Sequence, residues 1–122
     1  MKKFRVWDKL TNKMHTGNTG FHLFSNGALG FNSGHDYEVV DNNNFEVLFY
    51  TGLKDKAGKE IYESDIDQDG GRIFYNESIA AFQIDYGGDV DIADMEDVDK
   101  WMVVSGNIYE SPELLNPLNK QS

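Results

Sequence analysis

The chain has 122 residues, 39% hydrophobic and 13% aromatic, with no cysteine and a formal net charge of −10 at pH 7. That length suits one domain burying its own core, and the lack of cysteine excludes disulfides and thiolate metal sites and fits a reducing cytoplasm. Residues 1–61 hold eight Lys/Arg against seven Asp/Glu and residues 62–122 hold three against fourteen, so direct binding to a nucleic-acid backbone is disfavoured while a basic protein partner, a cation or imitation of nucleic acid suits the acidic half.

The basic start Met1-Lys2-Lys3 is followed by Arg5 and Asp8, which interrupt any apolar stretch, so no signal peptide is expected. No apolar run approaches membrane-spanning length, and the expectation is a soluble, cytoplasmic protein with no membrane partner. Eight Phe, six Tyr and two Trp favour strands. Residues 4–7 alternate Phe4 and Val6 with Arg5 and Trp7 and read as a strand; residues 8–13 turn it and residues 14–16 return.

Residues 17–34 hold five Gly and three Asn around Phe21, Leu23, Phe24, Leu29 and Phe31. Neither GxGxxG nor GxxxxGK[ST] occurs there, and no Lys follows to neutralise a phosphate. Short strands about an Asn26-Gly27 turn, with the Phe side chains in the core, account for the composition. His15, His22 and His35 have spacings that match no helical ligand pair, so half-buried or surface histidines are preferred to a metal site.

Residues 37–40 and 45–50 flank the polar loop Asp41-Asn42-Asn43-Asn44 and predict a hairpin. The next segment, residues 50–66 (YTGLKDKAGKEIYESDI), organises the chain. Thr51-Gly52 breaks the first apolar run, a charged turn ending in Gly58 reverses it, and Ile61-Tyr62 returns. A second hairpin is therefore predicted, which makes the strands a meander.

Asp65-Ile66-Asp67-Gln68-Asp69-Gly70 has carboxylates at alternate positions followed by Gly, the opening of a calcium loop. The template fails further on: Arg72 stands at the eighth position and Asn76 at the twelfth, where a bidentate Glu belongs. The preferred reading is an exposed turn with Asp65, Asp67 and Asp69 solvated; a metal site at these three is the alternative. Residues 73–75 and 79–86 predict another hairpin across Asn76-Glu77-Ser78, with Ala80, Phe82, Ile84 and Tyr86 on the core face. Residues 89–99 (DVDIADMEDVD) suit either a helical turn, through residues 92, 95 and 98, or a strand, through 90 and 92. A solvated acidic face is the default there, since two-metal and glycosidase chemistry needs carboxylates from separate elements. Residues 101–104 predict a strand. Ser111-Pro112-Glu113 then predicts a helix start limited by Pro117.

Three stretches in order carry a resemblance: residues 4–8 (FRVWD), 50–66, and 106–114 (GNIYESPEL). The chain resembles the YopX family of small phage and prophage proteins. Ser64 stands where the family pattern has Gly, and Asp67 where an apolar residue is common, which predicts a more open turn here. The resemblance implies a mostly β fold with an SH3-like small barrel in the C-terminal part, to which the residues themselves add antiparallel strands and a short C-terminal helix. The whole is expected as one compact domain over residues 1–122, with an N-terminal β part of about 1–49 and a barrel part of about 50–118. It implies no activity and no cofactor. No nucleophile stands beside a base and an orienting third group. The favoured function is a non-enzymatic interaction module that binds a phage or host protein or associates with itself. The alternatives are a metal-dependent binding protein or hydrolase using Asp65, Asp67, Asp69 and some of residues 89–99, and an acidic nucleic-acid mimic.

Overall fold

The computed structural model describes residues 3–17, 20–32, 34, 37–88 and 91–116. The chain is mostly antiparallel β-structure and divides into two compact units, Met1–Leu48 and Phe49–Ser122.

In the first unit β1 (Phe4–Asp8) pairs antiparallel with β2 (Lys13–His15), Trp7 opposite Met14. Asp8 closes the intervening turn by accepting the N–H groups of Leu10 and Thr11 at 2.9 and 3.3 Å. A second sheet has the order β3-β4-β5, from Phe21–Leu23, Leu29–Asn32 and Tyr37–Val39. Its first hairpin turns at Asn26-Gly27, where Phe24 N–H donates to Ala28 O and Ala28 N–H to Asn26 Oδ1. Leu29 is fully buried and Phe21 lies against Phe31 and Phe45, yet Phe31 itself stays partly exposed rather than entering the core.

The predicted hairpin between residues 37–40 and 45–50 does not form. β5 pairs with β4 instead. Asp41 accepts the N–H of Asn43 with its side chain and of Asn44 with its carbonyl, which coils Asn42–Asn44 into a 3-10 turn. That local side-chain bonding competes with a hairpin reversal. β6 (Phe45–Lys54) follows the turn and continues into the second unit.

In the second unit the predicted hairpin is present: β6 pairs with β7 (Glu60–Tyr62), Tyr50 opposite Tyr62 and Lys54 opposite Glu60. Thr51-Gly52 does not end the strand. Four steps on β6 face two on β7, a bulge that Gly52 makes possible at φ +86°. Thr51 Oγ1 fixes it by donating to Ile61 O at 2.8 Å and accepting Leu53 N–H at 3.1 Å.

Five strands follow: β8 (Asp65–Asp67), β9 (Arg72–Asn76), β10 (Ala81–Asp85), β11 (Ile92–Asp94) and β12 (Val104–Asn107), in the sheet order β11-β10-β9-β8-β12. Ile61, Ile73, Ile84, Val98, Met102 and Val104 form the core, with Tyr86, Ala93 and Met95 against it. β10 begins later than its alternation predicts, because Ala80 lies in the turn at φ +52° and is exposed along with Ile79.

The acidic stretch forms strand β11 rather than a helical turn through residues 92, 95 and 98, and the one helical turn, α1 (Val98–Trp101), begins only at Val98. Trp101 thus ends a helix rather than starting a strand. Ser111 makes no side-chain cap, and Pro112–Leu114 is a single 3-10 turn; Pro117 and Leu118 lie outside the described residues. The turn at Ser64 is closed, not open. Ser64 adopts φ +70°, donates its N–H to Ile73 O and accepts from Ile108 N–H.

Candidate functional site

Asp65 and Asp67 are not solvated. They lie in β8 at 1% and 2% exposure. Burying a carboxylate is tolerated when its oxygens are hydrogen-bonded, and here they are. Asp65 Oδ2 accepts Tyr62 N–H at 2.8 Å. Asp67 Oδ1 accepts Asp69 and Gly71 N–H at 2.9 and 2.8 Å, and Oδ2 accepts Tyr86 Oη at 2.6 Å. Burial and that carboxylate, in that order, push the Tyr86 phenol above its ordinary range. Asp69 stands exposed on the turn. Among the described residues no three of His, Asp and Glu are grouped as a metal ion would require.

The acidic face fares as its default predicts: Asp91, Asp94, Glu96, Asp97 and Asp99 are exposed, and Asp89 lies outside the described residues. Of the histidines, His15 is 3.4 Å from Asp8 Oδ2 and His22 lies against Phe24, while His35 is likewise outside.

The residue that sequence reasoning missed is Asp55. It sits at the hairpin tip, buried, with Oδ1 accepting Ala57 and Lys59 N–H and Oδ2 accepting Val104 N–H, all at 2.9 Å. Burial pushes its carboxyl up, but the donors from Val104, Lys59 and Ala57, with the Lys59 charge, prevail and hold it below its ordinary value. The signal was present: Asp followed three residues later by Gly is turn chemistry in which the side chain takes the N–H two residues on. Its reach to β12, 49 residues away, is not encoded in that spacing.

Because Asp55 and the Lys56 N–H to Met102 O bond tie the tip to residues 102–104, an open cleft of about 650 Å³ forms between the hairpin and the start of α1. Leu53, Met95 and Val98 give it apolar area; Lys54 and Lys56 line it from the hairpin, Asp97 and Asp99 from the other side. Asp97, at φ 50°, starts the helical turn, and Lys100 N–H returns to its carbonyl. The lining offers apolar contact and fixed charge of both signs.

Among the described residues no helix is long and apolar enough to cross a membrane. No curated protein matches the chain significantly. Protein EF1440 from Enterococcus faecalis, known from a crystal structure, is similar to it: 25% identity, a TM-score of 0.65, and coverage of 94% of this chain and 98% of that one. Residues 3–116 match the profile of the YopX protein family. With nearly the whole described chain inside that match, the chain belongs to the YopX family.

Proposed function

We propose that the chain is a phage- or prophage-encoded, non-enzymatic module that engages a phage or host protein inside the bacterial cell, and that its second unit is an SH3-like small barrel. The barrel reading is supported by the strand order β11-β10-β9-β8-β12, a four-strand meander whose first strand also pairs with the fifth, with one helical turn just before that fifth strand. The observation that carries the functional reading is the cleft: apolar area from Leu53 and Met95 flanked by lysines and aspartates. An apolar centre with a charged rim is the anatomy of a protein-recognition patch.

The test is affinity capture from phage-infected cells with wild type and Leu53→Glu. One stoichiometric protein partner retained by wild type and lost by the variant, at unchanged thermal stability, supports the module. Equal capture by both removes the cleft from it. Calorimetric titration with Ca²⁺, Mg²⁺ and Mn²⁺ addresses the other class. Tight stoichiometric heat abolished in Asp69→Asn would replace the module with a cation-binding reading.

A further inference from the structure

β11 is the edge of the five-stranded sheet. Its register with β10 sets Gln83 opposite Asp94, Ile84 opposite Ala93 and Asp85 opposite Ile92. Tyr86 N–H donates to Asp91 O, which fixes the alternation: residues 84 and 93 form a hydrogen-bonded pair, and Ile92 and Asp94 turn their N–H and C=O groups outward. An edge of this kind is a template for one more strand.

Side chains on the same face extend the pattern. Asn76 Nδ2 donates to Gln83 Oε1 at 2.9 Å, and Gln83 Nε2 donates to Asp94 Oδ1 at 2.8 Å. This ladder crosses β9, β10 and β11 and ends on a carboxylate whose other oxygen has no hydrogen bond among the described residues. Ile92, two residues away on that face, is 47% exposed. Asp91 and Glu96 flank the strand, both exposed.

From this we infer that β11 is a strand-addition site for an extended basic segment of another polypeptide, with an apolar residue opposite Ile92 and a Lys or Arg opposite Asp94. Charge decides the occupant. A second copy of this chain would bring Asp91, Asp94 and Glu96 against their own counterparts, and like charges on facing strands repel. A basic strand completes the ladder instead. The inference rests on the interaction-module reading in taking a polypeptide as the partner, but it uses a surface separate from the cleft.

The probe is a blocked Lys-Thr-Val-Thr-Lys peptide, with Glu-Thr-Val-Thr-Glu as its counterpart, titrated into the labelled full chain and followed by amide NMR. The Lys peptide is expected to shift the Ile92 and Asp94 amide resonances and slow their hydrogen exchange, while the Glu peptide leaves both unchanged. Asp94→Lys is expected to weaken the Lys peptide by about threefold or more, the effect of an exposed ion pair made repulsive. Asp94→Pro removes an outward N–H without touching a backbone bond to β10, although it also loses the side-chain bond from Gln83, and is expected to abolish the protection. Shifts centred on residues 53–58 and 95–99 would overturn the edge site while leaving the cleft reading standing. No shift anywhere, or protection of the Ile92 and Asp94 amides that grows with protein concentration in the absence of peptide, would overturn it as well. Failure of the capture experiment, with these shifts present, would remove the cleft reading alone.

Discussion

Nine Asp and Asn side chains among the described residues accept the N–H two residues ahead: Asp8, Asn26, Asn32, Asp41, Asp55, Asp67, Asn76, Asp85 and Asn107. Five of the nine are Asp, so part of the acidity is turn chemistry. Asp55 does more than its local share, since it also holds Val104, and its three acceptor bonds make Asp55→Ala cost about 3 kcal/mol in urea melts at neutral pH. The pH dependence has a definite sign. Because the folded carboxyl lies below its ordinary 3.8, Asp55 contributes stability that is full above the unfolded value and is lost as pH falls through the folded one. Asp55→Asn is therefore expected to flatten the acid limb of the stability profile below pH ~4; an unchanged limb would mean other carboxylates carry it. Ser64 behaves oppositely. At φ +70° it occupies a conformation that costs a side chain roughly 1–2 kcal/mol relative to Gly, and Ser64→Gly should raise stability by about 1 kcal/mol, measured as a shift of the urea midpoint.

At the level of elements, hairpins joined by short Gly- or Asn-bearing turns were legible in sequence, as β3–β4, β6–β7 and β9–β10 show. Pairing partners beyond the next strand were not. Nothing in residues 37–40 says that they join β4 rather than β6, because the alternation of a short strand is satisfied on either sheet. The reading of Asp65 and Asp67 as solvated failed for a related reason. Alternate carboxylates lie on one face of a strand, and whether that face meets solvent or donors depends on how the turns at Tyr62 and Gly71 close and on the Tyr86 hydroxyl arriving from β10's end. The glycine pair after Asp69 shows how tight that arrival is. A Cβ on Gly71 would lie 2.6 Å from the Ile84 side chain and the Tyr86 ring, side-chain rather than backbone atoms. A Cβ on Gly70, at φ +79°, would lie 2.5 Å from the backbone nitrogen of Asn116, whose N–H donates to Gly70 O. Both alanine variants should destabilise, Gly71→Ala by about 1–3 kcal/mol through overpacking. Gly70→Ala should cost more, and should also speed amide exchange in residues 112–116. Equal costs with no change in exchange would mean that the terminal segment is not anchored there.

Over the whole molecule the charge follows the division into units. The first has five Lys/Arg and five Asp/Glu, the second six and sixteen, so the second carries all of the −10. Its core is a separate matter. Ile61 is fully buried among Ile73, Ile84, Val98, Met102 and Val104, and Ile61→Ala should cost on the order of 2–4 kcal/mol by lost transfer and cavity formation. Asp94 is exposed, and among the described residues its side chain accepts one hydrogen bond, from Gln83, so Asp94→Lys loses little and lowers the excess of negative charge. Salt separates the two effects. Surface repulsion is screened over about 10 Å at 0.1 M ionic strength, whereas cavity energetics are not. Urea midpoints measured at low salt and again at ~0.5 M NaCl should therefore show wild type gaining stability and Asp94→Lys gaining less. Ile61→Ala should stay below wild type by the same amount at both. An Asp94→Lys variant more damaged than Ile61→Ala at either salt would show that this carboxylate holds structure or a cation, and the acidic face would no longer be a solvated one.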